Sequence, residues 1–220
     1  MSKLHVDSVT KSCDSKKILQ DIYLSCETGK IIALLGGIGS GKSTLLQIIF
    51  GTIKGDSQFI KFNNQVLTKQ SDRINKIAYL PQQPIFPKNI KVKKLISLFC
   101  NDENTQKLFN CDLIQPFLNR TLRNLSGGEK KSIEVLIIIH SQSEFILLEE
   151  PYSGLSPVLT EKVMKIIKEI SKGKGFIISD FMAQQAIDIS DEVYLLSNTY
   201  LKQIKDLKEL QQHYYLPKSI

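Results

Sequence analysis

Long apolar runs are missing from this chain. The longest, Ile31–Leu35 and Val135–Ile139, fall far short of the roughly 20 residues that cross a bilayer, so no membrane span is expected. Met1–Val9 mixes charge and polarity and has no secretory-leader pattern, which points to the cytosol. Cysteine is sparse. Cys13, Cys26, Cys100 and Cys111 are scattered without metal-site spacing, and in the cytosol they are expected to stay reduced. His5, His140 and His213 form no cluster, so a zinc centre is not expected. Internal repeats and low-complexity segments are also absent.

What remains is an ordinary globular composition. The 220 residues are 42% hydrophobic and 23% charged, which suits one large α/β domain or a core carrying a small subdomain. The formal charge is +7, with lysines dense at Lys88–Lys94 and Lys162–Lys174. Such clusters serve nucleic acid or an anionic membrane surface, or simply solubility and nucleotide attraction. No aromatic residues are interleaved with them as single-strand binding wants, so solubility is the preferred reading and no nucleic acid partner is expected.

Gly36–Thr44 reads Gly-Gly-Ile-Gly-Ser-Gly-Lys-Ser-Thr and fits G-x-x-x-x-G-K-[ST], the phosphate-binding P-loop. An apolar run, Ile31–Leu35, precedes it as a buried strand; Leu45, Leu46, Ile48 and Ile49 follow at helical spacing. That strand–loop–helix context separates the motif from an ordinary glycine-rich turn. Gly36, Gly37, Gly39 and Gly41, with Ile38 and Ser40 between them, let the backbone curl so that successive N–H groups and a helix N-terminus face a phosphate. Lys42 reaches the β- and γ-phosphates, Ser43 offers its hydroxyl to Mg2+, and Thr44 closes the loop.

Along the chain, Leu4–Val9 and Ile18–Cys26 alternate like half-buried strands, and Ser57–Phe62 with Gln65–Leu67 form a hairpin around Asn63-Asn64. Ile77–Leu80 is a buried strand stopped by Pro81-Gln82-Gln83-Pro84. From Val92 to about Leu118 the pattern is helical. Leu125-Ser126-Gly127-Gly128-Glu129 opens a helix whose residues to Ile139 are apolar on nearly all sides and therefore central. Ser126 and Glu129 have capping-box spacing, which by itself needs no further function. Phe145–Leu148 is a strand ending in Glu149-Glu150-Pro151, two carboxylates where α/β proteins place ligands, or else a solvated pair in a turn. Val158–Ile170 is an amphipathic helix, Gly175–Ser179 a strand, Ala183–Ile189 a helix, and Glu192–Leu196 and Thr199–Gln203 are terminal strands before a short helix.

With the P-loop, Gln82, Leu125–Glu129 and Glu149–Pro151 in this order, the sequence resembles the ATP-binding subunits of ABC transporters from about Leu4 to Lys205. The phrases Ile77–Gln82 and Phe145–Leu155 look most like the branch with lipopolysaccharide-export and branched-chain amino-acid ATPases. The resemblance implies an α/β fold. On that resemblance a P-loop NTPase core is expected to carry an antiparallel β subdomain and a small helical subdomain, about 85–141, inserted in a RecA-like core of one domain spanning 1–220. It implies two subunits facing head to tail around two ATPs with Mg2+, a membrane subunit docking near the helical stretch, and a place on the cytoplasmic face of the inner membrane. It assigns Gln82 to sensing Mg2+ and the attacking water, Glu149 to the metal, and Glu150 to general-base catalysis. Ser126, Gly127, Gly128 and Glu129 become the signature that meets the other subunit's γ-phosphate.

Four positions depart from the family pattern. Glu149 stands where Asp is usual, and Ser156 replaces the D-loop Asp. Phe181 holds the place of the switch histidine, and Cys13 the place of the aromatic residue that stacks on adenine, leaving Ile18 to supply apolar cover. Together they imply slow hydrolysis. Three functions compete at this level: the energising ATPase of a membrane transporter, a slow or non-hydrolysing partner subunit, and a soluble ABC-type ATPase in non-transport work such as cluster assembly.

Overall fold

A computed structural model describes residues 1–180, 183–206 and 208–212. Two sheets organise them. β1 (Lys3–Cys13), β2 (Lys16–Glu27), β4 (Ser57–Phe62) and β5 (Gln65–Val66) form an antiparallel sheet in the order β2-β1-β4-β5. Its hairpins turn at Asp14 and Asn63, both held at positive φ, where a short polar side chain tolerates the left-handed conformation. The second sheet combines β3 (Ile31–Leu35), β6 (Ile77–Leu80), β7 (Phe145–Glu149), β8 (Gly175–Ser179), β9 (Glu192–Ser197) and β10 (Tyr200–Ile204) in the order β10-β9-β3-β8-β7-β6. All its pairs are parallel except β9–β10.

The short apolar runs are short because they are central strands covered on both faces. Ile31, Ala33 and Leu35 of β3 join one core, whereas Ile32 and Leu34 join another. In β7, Ile146 and Leu148 divide from Phe145 and Leu147 in the same way. One core lies between this sheet and the antiparallel sheet, with α1 (Lys42–Phe50) supplying Leu45, Leu46, Ile48 and Ile49. The other is filled by α4 (Gly127–Ile139), α5 (Pro157–Ile170) and α6 (Ala183–Ile189). Every residue of α4 from Ser132 onward is buried, which accounts for its lack of a polar face. Between β6 and α4 lie α2 (Val92–Phe99), α3 (Asp102–Phe109) and a 3-10 turn at Gln115–Phe117, where the sequence predicts helix throughout. The chain's final described element is α7 (Lys208–Gln212).

The P-loop helix is fixed at its far end by a residue that the sequence pattern does not reveal. Gly51 ends α1 at φ 93, and a buried Arg73 packs over it from a 3-10 turn, Gln70–Arg73. Arg73 Nε donates to the Ile49 carbonyl at 2.9 Å and Nη1 to the Lys69 carbonyl at 2.7 Å. A cation on the last carbonyls of a helix satisfies orphan acceptors and opposes the helix dipole. Arg73→Ala is expected to cost about 2–4 kcal/mol of stability, from lost charged hydrogen bonds and lost stem packing. Urea unfolding checks this, and a midpoint unchanged from wild type would contradict it.

Candidate active site

β3 delivers the chain into the P-loop and α1 carries it away. Two glycines there are dictated by contact. A Cβ on Gly36 would lie 2.5 Å from Ser40 Oγ and 2.7 Å from the Leu196 carbonyl oxygen. One on Gly41, at φ 104, would lie 2.9 Å from Ile18 Cγ2. Gly37 and Gly39 complete the loop, with Ile38 at its tip 89% exposed. No side chain caps the start of α1, so its first-turn amides remain for a ligand. Lys42 folds back over the loop, its Nζ donating to the carbonyls of Gly36 at 2.6 Å and Gly37 at 2.9 Å. Burial pushes its ammonium pKa down, and the nearby carboxylates of Glu150 and Glu149 oppose that.

A cleft of about 470 Å³ opens beside this loop. Residues 39–44 line it, with Lys16, Lys17 and Ile18 from β2 and Asn198 and Thr199 from the β9–β10 turn. Ile18, expected as apolar cover, is in this lining; Cys13 is not. Cys13 is exposed at the end of β1, paired in register with Lys16. Lys16, Lys17, Asn198 and Thr199 carry no motif and were not legible in the sequence. Asn198 and Thr199 both have positive φ, a turn feature that only coordinates reveal.

One of the two strand-end carboxylates, Glu149, meets the P-loop through a hydroxyl. Glu149, 5% exposed at the end of β7, accepts a hydrogen bond from Ser43 Oγ on Oε1. On Oε2 it accepts from Tyr79 OH at 2.7 Å and from the backbone N–H of Gln82 at 3.3 Å. Burial, then the neighbouring Glu149 carboxylate, pushes the Tyr79 phenol pKa up, so it stays a donor. Glu150 follows in the left-handed region at φ 47, its N–H donating to the Ser179 carbonyl at 2.6 Å. A glutamate is held there far less readily than the Asp and Asn of the hairpin turns. Gln82 Nε2 donates to Glu150 Oε2 at 2.9 Å. Lys131 of α4 donates to the Glu149 carbonyl at 3.3 Å, its pKa lowered by burial against the raising effect of Glu134, Glu150, Asp180 and Glu149.

Ser126 and Glu129 form the capping box that their spacing predicts: Ser126 Oγ accepts from the Glu129 N–H at 3.3 Å, and Glu129 Oε2 accepts from the Ser126 N–H at 2.7 Å. That hydrogen bond lowers the Glu129 pKa. Gly127 and Gly128 do not enter the P-loop cleft. They line another, of about 270 Å³, together with Gln82, Lys131 and Gly154. Ser156 is the N-cap of α5, accepting from the Leu159 N–H at 3.3 Å. Phe181 lies outside the described residues.

These parts suit a magnesium nucleotide. Among the described residues no group of three or more His, Cys, Asp or Glu could hold a metal by itself. Mg2+ does not need one, because it takes one or two protein oxygens and completes its shell with phosphate and water. The Ser43 hydroxyl lines the P-loop cleft and the Glu149 carboxylate is hydrogen-bonded to it, and both are hard oxygen donors.

Comparison with known proteins agrees. The lipopolysaccharide export system ATP-binding protein LptB of Haemophilus influenzae is 26% identical, over 89% of this chain and 87% of that protein. The xylose/arabinose import ATP-binding protein XylG of Sulfolobus acidocaldarius is 28% identical, over 88% of this chain and 84% of that protein. A solved ATP-binding subunit of an ABC transporter superposes with a TM-score of 0.81 at 19% identity, over 98% of this chain and 95% of that one, and so shares the fold. A nucleotide-free ATP-binding cassette from an ABC transporter does the same, with a TM-score of 0.81 at 20% identity, over 99% and 96%. The sequence profile of the ABC transporter family matches residues 19–153, more than half of the chain, and the protein belongs to that family, as one of its ATP-binding subunits.

Proposed function

We propose that this subunit binds Mg-ATP in the P-loop cleft, closes against a second ATP-binding subunit, and hydrolyses ATP to ADP and phosphate to energise a membrane transporter. The observation that carries this reading is the joining of Ser43, Glu149, Gln82 and Glu150 by hydrogen bonds across the end of β7. Lys42 and the loop amides bind the phosphates. Mg2+, held by the Ser43 oxygen and the Glu149 carboxylate, would neutralise charge on the β- and γ-phosphates. Glu150 is the general base for the attacking water, with Gln82 orienting its carboxylate. The relatives named above are transport proteins, and none is a cluster-assembly or repair ATPase.

Two surfaces support partners. Among the described residues no helix is long and apolar enough to cross a membrane. A groove of about 810 Å³ between β6 and the helical stretch carries Ile85, Leu98 and Phe99 on its walls. Exposures of 42%, 62% and 42% for these three leave apolar surface for a helix of the membrane subunit, which would hold this chain on the cytoplasmic face. The signature supports a second subunit. A Cβ on Gly128 would lie 2.8 Å from the Gly154 carbonyl oxygen, an internal reason for glycine, whereas one on Gly127 would meet nothing within 4 Å.

The two glycines therefore separate by experiment. Gly128→Ala is expected to cost about 1–3 kcal/mol of stability through overpacking. Gly127→Ala is expected to keep stability within about 1 kcal/mol of wild type yet depress ATP-dependent dimerisation and phosphate release. Thermal unfolding, light scattering and steady-state phosphate release check the pair. Gly127→Ala with wild-type dimerisation and turnover would remove the signature from the interface.

A further inference from the structure

Tyr79 has been given no role so far, yet it touches the metal-site carboxylate. Its hydroxyl donates to Glu149 Oε2 at 2.7 Å in a buried setting, while Ser43 holds Oε1. The other donor to Oε2, the backbone N–H of Gln82, stands off at 3.3 Å. The Tyr79 ring is 8% exposed and packs on Phe50 of α1, with centroids 5.4 Å apart, so the hydroxyl is delivered from a fixed position. This matters because residue 149 is Glu. A glutamate carboxylate has one more rotatable bond than an aspartate, and without a second anchor it can swing about the Ser43 contact.

We propose that Tyr79 is a positioning residue for the metal site, bracing the longer side chain of Glu149 so that its carboxylate faces the Mg2+ that accompanies the nucleotide. This rests on the P-loop reading above. The partners that orient a metal-binding carboxylate are worth about 10- to 100-fold in metal affinity. Tyr79→Phe keeps the ring and its packing and removes only the donor, so the fold should persist.

The experiment is titration of Mn2+ into ADP-loaded protein, followed by electron paramagnetic resonance, with ADP affinity measured separately in EDTA. Tyr79→Phe is expected to weaken Mn2+ binding by about 10-fold or more and to leave metal-free ADP affinity unchanged. The second arm places the same change on Glu149→Asp, whose shorter side chain needs no brace from this distance. There Tyr79→Phe is expected to change Mn2+ affinity less than twofold. Mn2+ affinity unaffected by Tyr79→Phe in the Glu149 protein, or lowered equally in both backgrounds, would overturn the proposal. Failure of the wild-type protein to bind ADP in EDTA would instead overturn the P-loop reading, which keeps the two failures distinct.

Discussion

Lys42→Ala is expected to lower ATP affinity by about a hundredfold or more, with little loss of helical structure. A hydrogen bond to a charged group contributes about 1.5–3 kcal/mol, and a lysine bridging two phosphates makes more than one. The position of Lys42 sharpens this expectation. Its ammonium is already partly desolvated and parked on the carbonyls of Gly36 and Gly37, so it exchanges backbone acceptors for phosphate oxygens without first leaving bulk water. Substitution by alanine removes the cation while Gly36 and Gly41, fixed by close contacts, still shape the loop. Calorimetric titration of wild type and variant with Mg-ATP measures the effect. Equal heats and equal affinities would sink the P-loop assignment.

Glu150→Gln is expected to cut ATP hydrolysis by about 10²–10⁴-fold, the usual worth of a general base, while ATP still binds. Glutamine keeps the side-chain shape, and its amide oxygen can still accept from Gln82 Nε2, which now sits 2.9 Å from Glu150 Oε2. The lost step is proton abstraction from water, so the ATP-bound closed dimer should accumulate and be visible by light scattering. Steady-state phosphate release at saturating Mg-ATP completes the measurement. Turnover by the variant at the wild-type rate would defeat Glu150 as the base. The strained backbone at φ 47 adds a structural reason to look here, since glutamate gains nothing locally from that conformation.

What the sequence determined by itself was periodicity and punctuation. Ile31–Leu35, Ile77–Leu80 and Gly175–Ser179 are strands over the predicted residues, and the capping box at Ser126 and Glu129 is formed as its spacing requires. The ordered motifs also carried the family. These features are local: a strand run, a cap or a P-loop is written within a few consecutive residues, and near-neighbour physics suffices to read it. The tertiary structure alone decided which side chains meet. Ser43 and Glu149 are 106 residues apart, and Tyr79 and Glu149 are 70 apart. No pattern in Ile-Ala-Tyr-Leu distinguishes a tyrosine that packs from one that also holds a carboxylate. Arg73 over Gly51, and Asn198 and Thr199 on the cleft, were hidden for the same reason. Alternation tells that a side chain points inward, but sheet order and register determine what it finds there. The order β10-β9-β3-β8-β7-β6 brings β7 within reach of the P-loop, and with it the carboxylates on which the proposed chemistry depends.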